Sequence, residues 1–140
     1  MRHWLFKTEP GTWGWDDQVA RGAAGEEWDG VRNYQARNAM REMSLGDRGF
    51  FYHSVNEKRI MGIVEVIAKS HPDSTTDDPR WDCVDIKAVR PFTVPVTLDR
   101  IKADPRLSDM VLVRNARLSV QPVTAEQWRI ICAMAETNPD

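Results

Sequence analysis

With 140 residues, 41% of them hydrophobic and 29% charged, the chain has the composition of a soluble globular protein and is long enough to bury a core without disulfides or a structural metal. A formal net charge of -2 and an isoelectric point near 5.9 exclude a broad cationic surface, so any contact with nucleic acid has to be local. Cys83 and Cys132 stand far apart in apolar settings, which predicts buried free thiols in a reducing compartment, and no stretch approaches the roughly 18 apolar residues of a membrane span. The expectation is one intracellular, cytoplasmic domain over residues 1–140 that works as a monomer.

His3–Phe6 reads as a short first strand running into Lys7, Thr8 and Glu9 before Pro10 ends the pairing, so three polar side chains stand at a strand mouth. Asp16–Ala20 follows as a short helix with its acids at the end the dipole favours, then Gly22–Gly25 as a flexible loop. A turn at Asp29-Gly30 leads to Asn33, which can cap a helix burying Ala36, Met40 and Met43. Tyr34, Arg37 and Arg41 line up on another face of that helix, with Asn38 beside them.

Gly49–Ser54 is an aromatic strand with Phe50, Tyr52 and Ser54 on one face and Phe51 and His53 on the other. Asn56–Arg59 is a polar hairpin connection, and Ile60–Ala68 returns as a long strand at the sheet's centre. His71–Arg80, with two prolines and no apolar residue, is expected as a surface loop. Cys83–Val89 alternates like a half-exposed strand, which Pro91 and Pro95 then break up; Thr97–Ala103 is a short helix packing Leu98 and Ile101; Met110–Val113 is an apolar strand. Leu118–Val123 alternates with Ser119 and Gln121 opposite Leu118, Val120 and Pro122. Thr124–Gln127 fits a capping box for a last helix that buries Trp128, Ile131, Cys132 and Ala135.

The usual signatures of nucleotide hydrolysis, dinucleotide redox and serine or zinc hydrolysis are all missing. His3, His53 and His71 have neither metal spacing nor a sequence-adjacent cysteine or carboxylate, so no metal, cofactor or catalytic residue is assigned. Six tryptophans against four phenylalanines and two tyrosines point instead to pocket walls, because a buried indole needs a hydrogen-bond partner. Residues 28–38, Trp-Asp-Gly-Val-Arg-Asn-Tyr-Gln-Ala-Arg-Asn, concentrate an indole, a phenol, two guanidiniums and several amides. Periodicity alone is satisfied as well by a solvated helix flank beside a core tryptophan. Aromatic faces with bidentate amides and guanidiniums suit a flat polar ring such as an unpaired nucleobase.

Five blocks, Trp-Leu-Phe-Lys-Thr-Glu-Pro at 4–10, the stretch at 28–38, Phe-Tyr-His-Ser at 51–54, Pro-Arg-Trp at 79–81 and Arg-Leu-Ser-Val-Gln-Pro-Val at 117–123, together resemble the EVE domain family over nearly the whole chain. The resemblance implies an α+β, PUA-like fold: a twisted, mostly antiparallel β-barrel with surrounding short helices, related to YTH domains. It further implies a reader of modified bases, with modified cytosine in DNA leading and a modified RNA base also open. Carried over by motif, the ligand-binding set is Lys7, Thr8 and Glu9; Trp28, Asn33, Tyr34 and Arg37; Tyr52, His53 and Ser54; and Trp81, Arg117, Ser119 and Gln121. The chain departs from the family pattern at Thr8, where serine is common, and in a short loop before Pro79. Two other classes stay open: an enzyme using Lys7, Glu9, Tyr52 and His53 as acid and base groups, and a pocket for a small heteroaromatic metabolite.

Overall fold

A computed structural model describes residues 1–140. Strands β1 (His3–Thr8), β2 (Glu26–Glu27), β3 (Arg48–His53), β4 (Arg59–Pro72), β5 (Asp82–Thr97) and β6 (Val120–Val123) form one sheet in the order β2-β5-β4-β3-β1-β6. All neighbouring pairs are antiparallel except β1 with β3. The six-stranded, mostly antiparallel sheet with short helices on its faces agrees with the expected fold, except that the barrel does not close and β2 and β6 are its two edges.

Alternation along the strands sends side chains to two separate cores. On one face Trp4 and Phe6 of β1, Phe51 of β3, Val64 and Val66 of β4 and Val84 and Ile86 of β5 meet Ala36, Ala39 and Met40 of helix α2. Helix α2 (Tyr34–Glu42) starts where anticipated, with Asn33 Oδ1 accepting from Ala36 N at 2.9 Å, and buries the anticipated side. Helix α1 (Trp15–Ala20) lays Trp15 across β4 at Gly62, where any Cβ would sit 2.5 Å from the indole.

On the other face Leu5, Phe50, Tyr52, Ile60 and Ile63 pack under α3 (Leu98–Ala103), α4 (Val111–Arg114) and α5 (Ala125–Met134). Thr124 and Gln127 form the reciprocal capping box of α5, and Trp128 stacks on Phe50 at 4.0 Å between centroids.

Several local readings change. Strand β5 runs through Pro91 and Pro95, because register shifts in its ladder with β4 fall beside them and leave no amide wanting at those positions. Met110–Val113 is helical from Val111 onward; four apolar residues fit a short helix as well as a strand. Gly22–Ala24 is a 3-10 turn. His71 and Pro72 still belong to β4, and Asp73, placed on an expected surface loop, is only 2% exposed. The indoles serve mainly as packing: Trp4 and Trp128 are each 1% exposed, with Nε1 donating to Asp47 Oδ2 and Pro139 O. No helix is long and apolar enough to cross a membrane.

Candidate functional site

A cavity of about 450 Å³ opens where the end of β1, the turn before α1 and the segment from β2 to Arg32 converge. Its walls combine Lys7 and Thr8, Thr12 and Trp13, Glu26 to Arg32, and Ser119. Trp28 is the hinge between cavity and core: 7% exposed, it meets Phe6 and Phe51 edge-on at 5.3 and 5.7 Å between centroids while still lining the hollow. Its backbone N–H donates to Val84 O at 2.8 Å, which continues the pairing of β2 with β5 and fixes the indole's position. Thr8 Oγ1 donates to Trp13 O at 2.7 Å, tying the strand mouth to the second indole, whose Nε1 donates to Gln18 Oε1 at 3.0 Å.

The rim beyond Trp28 is held by a buried carboxylate. Asp73 accepts from Gly30 N at 2.8 Å, from Arg32 Nη1 at 3.1 Å and from Thr75 N at 2.8 Å. Burial alone would raise its pKa, but these donors outweigh burial and hold it at about 2. Gly30 takes φ +77°, a left-handed turn that a side chain would strain, and thereby points its N–H at Asp73.

Of the residues anticipated for the site, Lys7, Thr8, Trp28 and Ser119 line this cavity together. Lys7 Nζ donates to Ala116 O at 2.7 Å, and partial burial lowers its pKa. Four others gather outside the cavity, beyond Arg32. Trp81 and Tyr34 stack at 5.0 Å, the Arg37 guanidinium lies 4.8 Å from the Tyr34 ring, and Arg32 lies 5.5 Å from Trp81. Asn33 completes that group, with its side-chain oxygen spent on capping α2.

The remaining anticipated residues are dispersed. Tyr52 is buried in the opposite core, which pushes its phenol up to about 12, and Gln121, fully buried, donates to Leu118 O. Gln121 does alternate with Val120, but its pairing with Leu5 turns it to the buried core of the opposite face, away from the cavity. His53 lines a different hollow, accepting from Trp15 N at 3.0 Å through Nε2, with Nδ1 facing Glu57 at 3.1 Å. Ser54 donates to Thr8 O and shares a shallow depression with Glu9. Arg117 is exposed, and its backbone N–H donates to Asn115.

Sequence reasoning missed Thr12, Trp13, Glu26, Glu27, Asp29 and Arg32 on the cavity wall. The usable signal was Glu-Glu immediately before Trp28, three carboxylates around one indole. It also missed that Glu27, His71 and Cys83, distant in sequence, bring potential metal-ligating atoms within 4.8 Å of one another. Protons knit that cluster: Cys83 Sγ donates to Glu27, and His71 faces Asp85 Oδ1 at 2.7 Å and Pro72 O at 3.0 Å. Burial would lower the His71 pKa, but its bonds to Asp85 and Pro72 outweigh burial and raise it.

The EVE domain family model matches residues 2–134. A crystal structure of a protein from Agrobacterium tumefaciens is 55% identical, with a TM-score of 0.97 over 98% of this chain and 94% of that one. Human THYN1 protein, crystallised in complex with 5-methylcytosine containing DNA, is 33% identical with a TM-score of 0.89, covering 99% of this chain and 100% of that one. The YTH domain of Zygosaccharomyces rouxii MRB1 protein shares the fold at a TM-score of 0.59 and 16% identity, over 96% of this chain and 86% of that one.

Proposed function

This chain belongs to the EVE domain family, and from that premise we propose that it is a single-domain, intracellular reader that takes one modified base, a methylated cytosine of DNA foremost, into the cavity beside Trp28 without chemical turnover. The observation that carries the reading is an indole-walled cavity in a chain that matches, end to end, a protein crystallised on 5-methylcytosine containing DNA. A hollow of about 450 Å³ accommodates one nucleobase with its sugar, and the indoles of Trp13 and Trp28 offer π faces or edges to it. The Tyr34, Trp81, Arg37 and Arg32 group outside the cavity then meets the strand that flanks the base, by stacking and by phosphate contact.

The enzyme alternative needs Lys7, Glu9, Tyr52 and His53 to act together. Lys7 lines the cavity and its ammonium lies 6.0 Å from the Tyr52 ring, but Tyr52 is buried in the opposite core and His53 and Glu9 border two other hollows. That distribution favours binding over acid–base chemistry. The test is titration of the protein with oligonucleotides carrying one central cytosine or one 5-methylcytosine, in single- and double-stranded DNA and in RNA, with product analysis of the same mixtures. Methylation should tighten binding to at least one of these strands, and all strands should be recovered intact. Equal affinity for every methylated and unmethylated pair, or a converted base, would sink the reading.

A further inference from the structure

The cavity of a chain that reads nucleic acid carries an unexpected wall of carboxylates, Glu26, Glu27 and Asp29, around Trp28. A negative wall repels phosphate, so whatever enters has to be a base, and its edge has to suit acceptors. Two of the three carboxylates are already engaged. Glu27 accepts from Ser74 through both oxygens, at 3.0 and 2.6 Å, and from Cys83. Glu26 accepts from the Glu27 N–H at 3.1 Å and lies 3.5 Å from Arg21 Nε. Asp29, next in sequence to Trp28, accepts no hydrogen bond from the protein, and partial burial together with Asp73, Glu27 and Glu26 raises its pKa. The cations of the wall are committed: Arg32 to Asp73 and Lys7 to Ala116 O.

We infer that the cavity selects bases presenting an exocyclic amino group, with Asp29 accepting from that group and rejecting a carbonyl in its place. The inference rests on the base-reading function proposed above and sharpens it into a specificity. 5-Methylcytosine and thymine carry the same methyl group and the same ring outline. They differ where cytosine has the N4 amino donor and thymine the O4 acceptor, and a carboxylate is the side chain that accepts from cytosine N4. A methyl-sized recess alone cannot separate these two bases; a lone acceptor at the cavity wall can, because a carbonyl oxygen placed against it would leave both oxygens without a donor.

The experiment compares four oligonucleotides of one sequence, with a central 5-methylcytosine, cytosine, thymine or abasic site, on wild-type protein and on Asp29→Asn. Wild type should bind the 5-methylcytosine strand at least about tenfold more tightly than the thymine strand. Asp29→Asn, whose amide can donate as well as accept, should shrink that ratio severalfold while melting as wild type does, since Asp29 is exposed and holds nothing in place. Equal binding of 5-methylcytosine and thymine, both above the abasic strand, overturns the amino-group selection and leaves base reading standing. Discrimination that survives Asp29→Asn unchanged overturns the assignment to Asp29. Binding that ignores the base altogether, abasic included, removes base reading and this inference with it.

Discussion

The two faces of the sheet bury clusters of equal size, 17 residues each, yet they are finished differently. Trp128 is the reference on one face: 1% exposed, flat against Phe50 at 4.0 Å and His3 at 4.4 Å, its Nε1 bonded to Pro139 O at 2.8 Å. Trp28 on the other face meets Phe6 and Phe51 edge-on, and the small part of it left uncovered, 7%, lines a hollow. One core uses every surface its indole offers, while the other stops short and leaves a wall. On this face of the sheet packing is therefore left incomplete, beside polar groups already positioned by the backbone.

The largest effect that would sharpen this contrast belongs to Trp128→Ala. It should cost about 3 to 5 kcal/mol of stability, as large-to-small aromatic changes do in cores, while the folded fraction binds a methylated oligonucleotide as wild type does. Urea denaturation followed by titration well below the midpoint measures both. Trp28→Ala should cost about 3 kcal/mol of stability, because its other side already borders a hollow, and a further 1 to 3 kcal/mol of binding, the usual worth of one stacked base. A Trp28→Ala protein that loses stability alone would erase the difference between the two faces.

The smallest of the three effects concerns the rim. Asp73→Ala should cost about 1 to 3 kcal/mol by stranding the donors of Gly30, Thr75 and Arg32. The Asp73 carboxyl has an ordinary value of 3.8 and is depressed to about 2 in the folded chain. Its contribution is thus fully present above pH 4 and lost as the pH falls toward 2. Acid unfolding monitored by circular dichroism should show a shallower loss of stability across that window in Asp73→Ala than in wild type. An unchanged slope would mean that Asp73 does not hold the rim.

Elements whose signals are local were legible in the sequence. Asn33 and Thr124 cap their helices through the anticipated hydrogen bonds, and the buried stripes of α2 and α5 follow from spacing alone. What stayed hidden depends on partners far along the chain. Asp73 reads as one more acid in a polar loop until Gly30 and Arg32, more than forty residues earlier, supply its donors. Pro91 and Pro95 read as strand breakers until the irregular ladder with β4 removes the need for their missing N–H groups. In the site, Trp28 and the Lys7–Thr8 pair were legible as chemistry, and the resemblance supplied Ser119. Tyr52 and Gln121 were misplaced because a share in a family motif does not say which face of the sheet a side chain takes.

An open sheet leaves two edges, and an unpaired edge is a template on which another copy can add a strand and begin to aggregate. Here both are blunted. Strand β2 is two residues long, and both are glutamates, so like charges would face each other in any copy that docked there. Strand β6 is four residues long and carries an exposed Pro122, which has no N–H to donate to an incoming strand. The fold thus forgoes closure without offering either edge to another copy.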